Sequence, residues 1–273
     1  MEHRKIAFIG AGNMSRSIIS GLIKNSYPVE LITASNPSMP KLASLNADFD
    51  INTTQDNHVA LRNSEVIVLA VKPQLMEQVC AALVEGQVME NKLFISIAAG
   101  ISSSRLHEML GGNYPLIRTM PNTPSSLGKG MTGLYADEDI SQADKDFAGN
   151  LMQQVGEIAW VESEKMIDSV IAAAGSSPAY FFTFLEAMQT EAELQGFDHK
   201  TSRLLVQQAM LGAAAMVCDN PDLELSELRA QVTSKGGTTA KAVEHLQENG
   251  LGDLVAKAMR AAVSRAQEMS KQF

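Results

Sequence analysis

Short apolar runs alternate with segments of helical periodicity through the first 161 residues. The run 6–9 is apolar, and the segment 13–24 that follows has apolar residues at four-residue spacing, which is typical of a helix with one buried face. Four later runs have the composition of strands: 31–34, 66–71, 93–97 and 158–161. Strands that are apolar throughout and alternate with helices predict a parallel sheet that is covered on both faces.

Helix boundaries within this region carry signals of their own. Pro73 stands where a first helical turn is expected. Ser141 with Asp144 resembles a capping box, and Gly156 is expected to close the helix that begins there. The region is therefore predicted to be an α/β domain with a doubly wound sheet.

The pattern changes after about residue 162. No long β-branched run recurs, and Leu205, Ala209 and Ala213 recur at helical spacing. We predict an α/β domain over residues 1–162 and an all-helical domain over residues 163–273. The small residues at 212–215 let helix axes approach closely, which suits packing within one subunit or between two, so an oligomer is expected.

Composition and charge narrow the class of protein. Apolar residues make up 45% of the 273 residues and charged residues 19%, which excludes disordered and low-complexity classes. A formal net charge of −9 argues against nucleic acid and anionic membranes as partners. The first apolar run is too short for a secretory signal, and the uncharged stretch 169–185 is too short for a membrane span. We expect a cytoplasmic protein.

Cysteine and histidine positions predict no metal site. Cys80 and Cys218 lie far apart and outside any CxxC pattern, so a reducing compartment is expected. The five histidines are scattered without the spacing of a metal-binding motif.

A glycine-rich turn follows the first predicted strand. Residues 10–15 have the sequence GAGNMS, a variant of the dinucleotide-binding fingerprint in its strand–turn–helix context. Gly10 permits the tight turn and Gly12 lets the backbone approach a pyrophosphate. The helix from Asn13 presents free N–H groups and the positive end of its dipole. Ser15 replaces the usual third glycine or alanine and is still small enough for the helix to pack on the sheet. Two alternatives stay open: a turn without a ligand, and a site for FAD.

The residues after the second predicted strand bear on the choice of nucleotide. NAD-binding proteins place an acidic residue there to accept from the ribose hydroxyls, whereas positions 34–37 of this chain hold none. Ser35 and Asn36 can donate to a 2′-phosphate, and Lys41 is near enough in sequence to help neutralise it. NADPH is therefore the predicted cofactor, with NADH possible.

A second candidate site lies near the C-terminus. Residues 233–239, TSKGGTT, lead into a segment of helical pattern. Two glycines free the backbone, so that consecutive N–H groups and nearby hydroxyls can hold a carboxylate or another small anion. The alternative is an ordinary N-capped helix after a loop.

Six ordered motifs make the chain similar to one family. They are FIGAGNM at 8–14, AVKP at 70–73, SIAAG at 96–100, MPNTP at 120–124, GSSPAY at 175–180 and TSKGGTT at 233–239. With these motifs the chain resembles, nearly from end to end, the Δ1-pyrroline-5-carboxylate reductases, which catalyse the last step of proline synthesis.

The resemblance implies a Rossmann-like N-terminal domain and a helical dimerisation domain, in a homodimer or a ring of dimers, with the active site between subunits. The cofactor contacts that it implies fall on Gly10, Gly12, Asn13, Met14, Ser35, Asn36, Asn57, Ala70, Lys72 and Pro73, with Ala98 and Asn122 near the nicotinamide. The substrate contacts that it implies fall on Ser234, Gly237, Thr238 and Thr239.

Two positions depart from the family pattern. Lys235 stands where the family has proline before the paired glycines, and Ala174 stands where it has serine before Gly175. Lysine adds flexibility and a positive charge beside the expected carboxylate site, which could tighten binding or loosen the turn.

The implied reaction is hydride transfer from the nicotinamide to the C=N carbon of 1-pyrroline-5-carboxylate, giving L-proline. In our interpretation, backbone N–H groups of residues 237–239 and Ser234 hold the substrate carboxylate, and the Thr239 hydroxyl is the catalytic group that binds the ring nitrogen. The source of the proton stays open. Two other functions are weighed: a β-hydroxyacid dehydrogenase, whose catalytic lysine is missing near Gly175, and a non-catalytic NADP-binding regulator.

Overall fold

The computed structural model describes residues 3–87 and 89–272. These residues form two compact units. The first comprises the described residues up to Pro178 together with those from Ala261 onward, and the second comprises Ala179–Arg260. The domain bounds 1–162 and 163–273 stay a prediction.

An eight-stranded sheet organises the first unit. Its strands are β1 (Ile6–Ile9), β2 (Ile32–Ser35), β3 (Asn52–Thr54), β4 (Val66–Leu69), β5 (Leu93–Ser96), β6 (Leu116–Met120), β7 (Gly130–Ala136) and β8 (Gly156–Trp160). The strand order is β3-β2-β1-β4-β5-β6-β7-β8. The first six strands are parallel, as predicted, but β7 runs antiparallel to β6. Residues 121–129, which join β6 to β7, are too few for the crossover that a parallel pair requires.

Helices cover both faces of the sheet. They are α1 (Asn13–Lys24), α2 (Met39–Phe49), α3 (Asn57–Arg62), α4 (Pro73–Val84), α5 (Ser103–Leu110), α6 (Gln142–Gln153) and α7 (Met166–Val170), with 3-10 turns at Val29–Leu31 and Thr123–Leu127 and a π-helix at Ile171–Gly175. Alternate residues of β1 enter different cores, because Ile6 and Phe8 pack with α1, whereas Ala7 and Ile9 pack with α4. The doubly wound sheet is confirmed.

The predicted helix boundaries are confirmed in two cases out of three. Pro73 is the first residue of α4. The Ser141 hydroxyl accepts from the Asp144 N–H at 3.1 Å, which confirms the N-cap. The capping box is only half formed, because the Asp144 carboxylate accepts from Arg4 at 2.5 Å and from the Ser141 hydroxyl at 2.7 Å rather than from the Ser141 N–H. The prediction for Gly156 is wrong, because α6 ends at Gln153 and Gly156 begins β8. Its φ is +150°, and a Cβ there would lie 2.0 Å from the carbonyl oxygen of Gly130, so close backbone approach explains the glycine.

An ion pair fixes the segment that follows the last strand. A carboxylate oxygen of Glu164 accepts from the Ser103 N–H at 2.5 Å and from Arg118 at 2.8 Å. Burial opposes ionisation of Glu164, but these hydrogen bonds outweigh it and hold the pKa of the carboxyl below its ordinary value. Glu164 therefore joins the segment after β8 to the start of α5 and to β6.

Beyond β8 every described element is a helix, which confirms the predicted all-helical second half. These helices are α8 (Ser177–Leu194), α9 (His199–Asp219), α10 (Leu225–Gln231), α11 (Thr238–Glu248) and α12 (Leu251–Ser270), in addition to α7 and the π-helix. Several large apolar side chains on α8 and α9 are exposed: Phe181, Phe182, Phe184, Leu204, Leu205 and Leu211. An apolar surface of this extent is typical of a protein interface. Within the two described ranges, no helix combines the length and apolarity needed to cross a membrane.

Candidate functional site

The glycine-rich turn joins β1 to α1 and lies against the backbone that follows β4. Gly10 has a φ of +112°, and a Cβ there would lie 2.6 Å from the Ala70 carbonyl oxygen. The Gly10 N–H donates to the Ser35 carbonyl at 2.9 Å, and the Ser15 hydroxyl donates to the Gly10 carbonyl at 2.6 Å. Only glycine meets both the conformation and the space at position 10.

The N-terminus of α1 faces open space. Gly12 is the N-cap residue, it receives no side-chain cap, and a Cβ built on it would meet nothing within 4 Å. Asn13 begins the helix, and the Met14 side chain packs against the core. Uncapped N–H groups and the positive end of the helix dipole make this turn suited to a pyrophosphate.

The carboxyl ends of β2 and β3 add polar groups beside this turn. The buried Ser35 hydroxyl donates to the Asn57 amide oxygen at 2.6 Å. The Asn36 amide oxygen accepts from the Ala11 N–H at 3.2 Å, which ties the end of β2 to the glycine-rich turn. The structure therefore brings together Ser35, Asn36 and Asn57, three of the residues expected to contact the cofactor.

The remaining expected cofactor residues follow the next three strands. Ala70 comes directly after β4, Lys72 is the N-cap residue of α4, and Ala98 lies after β5. The register pairs Leu69 with Ser96, so these strand ends meet at one edge of the sheet. Ligands of open α/β sheets bind at this edge, where the strand order reverses between β1 and β4.

Asn122 follows β6 at the same edge, but its side chain is engaged elsewhere. The amide oxygen accepts from the Met131 N–H at 2.9 Å, and the amide nitrogen donates to the Ala174 carbonyl at 3.0 Å. Only 7% of Asn122 is exposed. A contact of this residue with the nicotinamide stays a prediction.

Sequence reasoning missed Arg16 on α1. A cleft of about 280 Å³ is lined by Ala11, Gly12, Asn13, Arg16, Pro40, Lys41, Ser44 and Leu45. Arg16 forms an ion pair with Asp48 and donates to the Ser44 hydroxyl at 3.3 Å, both on α2. The hydrogen bond from Arg16 lowers the pKa of Asp48. The cleft beside the glycine-rich turn thus holds two cations, Arg16 and Lys41.

The second candidate site is a turn between α10 and α11. The Gly237 N–H donates to the Ser234 carbonyl at 3.0 Å, which closes a four-residue turn. Gly236, its third residue, has a φ of +74°, whereas Lys235 has a negative φ. These values identify a type II turn, in which proline is favoured at the second position. The family's proline at position 235 is thereby explained.

The N-terminus of α11 follows this turn without a side-chain cap. Gly237 is the N-cap residue, and Thr238 and Thr239 begin the helix. Ser234, Thr238 and Thr239 are exposed. The structure therefore assembles all four expected substrate residues in one short segment, with free N–H groups that can bind an anion.

Comparisons with known proteins identify the family of this chain. Residues 164–269 match the family described as pyrroline-5-carboxylate reductase dimerisation, and residues 5–100 match the family described as NADP oxidoreductase, coenzyme F420-dependent. The chain is 58% identical to a pyrroline-5-carboxylate reductase of Vibrio alginolyticus over the full length of both. The chain belongs to the pyrroline-5-carboxylate reductase family. The resemblance carried by the six motifs is thus confirmed.

Solved structures of pyrroline-5-carboxylate reductases share the whole fold. The enzyme of Coxiella burnetii is 41% identical, with a TM-score of 0.93 over 98% of this chain and 99% of that one. A Plasmodium falciparum pyrroline carboxylate reductase with NADP bound is 28% identical, with a TM-score of 0.86 over 99% of both chains. The expected α/β fold with a helical second half is therefore that of the family.

Proposed function

We propose that this chain reduces 1-pyrroline-5-carboxylate to L-proline, with NADPH as the preferred reductant. The full-length identity of 58% to a pyrroline-5-carboxylate reductase carries this proposal. The nicotinamide delivers a hydride to the C=N carbon, and a proton completes the amine nitrogen. The cofactor supplies the hydride, so the protein must bind, orient and polarise the two reactants.

The carboxyl edge of the sheet is the proposed cofactor site. The uncapped start of α1 and the open space at Gly12 fit a dinucleotide pyrophosphate. The proposed contacts are Gly10, Gly12, Asn13 and Met14 for the pyrophosphate, Ser35, Asn36 and Asn57 for the ribose, and Ala70, Lys72, Pro73 and Ala98 for the nicotinamide half, with Asn122 lying near the nicotinamide.

Charge favours NADPH over NADH. Positions 34–37 hold no acidic residue, so no carboxylate at the end of β2 repels a 2′-phosphate. Arg16 and Lys41 line the cleft beside the glycine-rich turn, and a 2′-phosphate adds about two negative charges for them to neutralise. NADH, which lacks this phosphate, is the weaker cofactor.

The turn before α11 is the proposed carboxylate site. The N–H groups of Gly237, Thr238 and Thr239, with the Ser234 hydroxyl, bind the substrate carboxylate. The Thr239 hydroxyl donates to the neutral imine nitrogen, or accepts from that nitrogen once it is protonated. A protonated imine is the better hydride acceptor. The exposed apolar side chains of α8 and α9 fit an interface with a second copy of the chain, in a homodimer or a ring of dimers. The proposed location is the cytoplasm.

The decisive assay follows NADPH oxidation with racemic 1-pyrroline-5-carboxylate and identifies the product. Formation of L-proline is the expected result. Tight NADPH binding without turnover would instead favour the non-catalytic regulator, and turnover of 2-hydroxy or 3-hydroxy acids alone would favour a hydroxyacid dehydrogenase. Either result would refute the proposal.

Two variants test the role of Thr239. Thr239→Ala is expected to lower kcat at least tenfold while the Kd for NADPH stays within about twofold, because only the imine contact is lost. Thr239→Ser keeps the hydroxyl and is the matched control, with kcat within about threefold of the parent chain. Equal rates for the Ala and Ser variants would exclude a hydroxyl role.

A further inference from the structure

Pro178 deprives one carbonyl of its usual partner. In an α-helix the N–H of residue 178 would donate to the carbonyl of Ala174, but proline has no N–H and its ring collides with that carbonyl. The π-helix Ile171–Gly175 lies directly before this position, and the Ser176 N–H donates to the Ile171 carbonyl at 2.7 Å. Pro178 thus accounts for the wide turn and leaves the Ala174 carbonyl in need of other donors.

Two side chains supply those donors. The Asn122 amide nitrogen lies 3.0 Å from the Ala174 carbonyl oxygen, and the Ser177 hydroxyl lies 3.2 Å from it. The Asn122 amide oxygen accepts from the Met131 N–H of β7 at 2.9 Å. One buried amide therefore joins the end of β6, the start of β7 and the π-helix.

The side chain of Asn122 does not cap the helix that it precedes. Asn122 is the N-cap residue of the 3-10 helix Thr123–Leu127, a position where asparagine usually binds the first N–H groups. Here the side chain makes no cap hydrogen bond, and both of its polar ends bind distant segments instead. The Asn122 side chain thus contacts residues 131 and 174 instead of capping the 3-10 helix.

The segments that Asn122 joins have little room to move. A Cβ on Gly133 of β7 would lie 2.7 Å from the Val170 side chain, and a Cβ on Gly175 would lie 3.0 Å from the Met120 methyl group. The π-helix and α7 therefore pack directly on β6 and β7. A shift of the π-helix must displace the end of β6, which belongs to the edge proposed to hold the nicotinamide.

We propose that Asn122 is a positioning residue for hydride transfer. It holds the Ala174 carbonyl and the Met131 N–H, and so fixes the end of β6 relative to the π-helix. Its effect on the reaction passes through these groups, because its own amide is already bound at both ends. The inference rests on the proposed reductase function, since it assigns Asn122 to the geometry of that reaction.

The test compares Asn122→Ala with Asn122→Asp in the full-length protein. Asp keeps the acceptor for Met131 but cannot donate to Ala174, and Ala loses both contacts. We expect kcat, expressed per NADPH-binding site, to fall about tenfold or more in both variants. The KM for 1-pyrroline-5-carboxylate should stay within about threefold of the value for the parent chain. Amide hydrogen exchange of residues 171–177 should quicken in both variants.

A second substitution separates positioning from stability. Pro178→Ala, added to the Asn122→Ala variant, gives residue 178 an N–H for the Ala174 carbonyl. The double variant should recover much of the thermal stability that Asn122→Ala loses, while its kcat stays low. Recovery of kcat together with the melting temperature in the double variant would overturn the proposal. An unchanged kcat or an unchanged hydrogen exchange in Asn122→Ala would overturn it too.

Failure of the proposed function gives a different result. It appears as no turnover in the parent chain, whereas the exchange of residues 171–177 still reports on the contacts of Asn122. Unaltered exchange in Asn122→Ala would overturn the positioning role in that case too.

Discussion

Arg16 gives the sharpest test of cofactor choice, because the two cofactors differ only in the 2′-phosphate. Arg16 lines the cleft beside the glycine-rich turn, where Lys41 and Ser44 also lie. A hydrogen bond between charged groups contributes about 1.5–3 kcal/mol. The Arg16 side chain is 41% exposed, so solvent screening places its contact with a phosphate near the lower end, about 1.5 kcal/mol. That corresponds to a change in affinity of about tenfold.

Arg16→Gln should therefore raise KM for NADPH about tenfold and leave KM for NADH within about twofold. Arg16→Lys keeps the charge but loses the planar fork, so an intermediate value is expected. Asp48→Asn is the matched control: it breaks the same ion pair from the α2 side and frees Arg16 for the phosphate, so KM for NADPH should stay the same or fall.

The measurement is steady-state kinetics with each cofactor at two salt concentrations. The preference for NADPH should weaken as salt rises, because a partly exposed charge contact is screened. An equal loss of affinity for NADPH and NADH in Arg16→Gln would refute the reasoning. It would place the Arg16 contribution at the pyrophosphate, which both cofactors share, or at the packing of α1 on α2.

Three further substitutions test the geometry of the two sites and their support. Lys235→Pro should raise the melting temperature by about 1–4 °C, because proline presets the φ of the second position of a type II turn; a lower melting temperature would contradict that turn type. Glu164→Gln should cost about 1–3 kcal/mol, because it leaves the buried Arg118 charge without its partner. A lowered folded pKa adds stability that is lost as pH falls below about 4.5, so chemical unfolding of the Gln variant should depend less on pH in that range. Gly10→Ala should weaken both nicotinamide cofactors at least tenfold in a binding titration, since a Cβ would strike the adjoining carbonyl; unchanged binding would show that the turn can relax.

Local sequence signals predicted the elements that depend on local interactions. The bounds 6–9 and 13–24 agree with β1 and α1 to the residue, because an apolar run, a glycine-rich turn and a helical repeat follow one another there. The strand β3, Asn52–Thr54, was missed because its three polar residues have no apolar pattern. The strands β6 and β7 were missed as well, and the antiparallel direction of β7 follows from the length of a connection rather than from composition.

In the candidate sites, too, features set by local sequence could be predicted, and features that depend on packing could not. The glycine-rich turn and the turn before α11 are contiguous in sequence, so their residues could be named in advance. Arg16 could not, because its ion pair with Asp48 and its place in the cleft arise from the packing of α1 on α2. A positive residue in the first turn of a nucleotide-binding helix is the one signal that would have suggested it.

The conflict between local and distant demands is clearest at Asn122. Judged from its neighbours alone, an asparagine before Thr123 and Pro124 is a helix cap. A proline 56 positions later removes the donor that the half-buried Ala174 carbonyl would have had, so Asn122 and Ser177 donate to it instead. Loss of the two distant hydrogen bonds of Asn122 would cost about 1–3 kcal/mol, more than the typical cap of about 1 kcal/mol. The asparagine therefore serves the distant carbonyl, and the 3-10 helix begins without a side-chain cap. Sequence rules that treat each segment separately cannot weigh these two costs against each other, because the packing that brings residues 122 and 174 together decides which one applies.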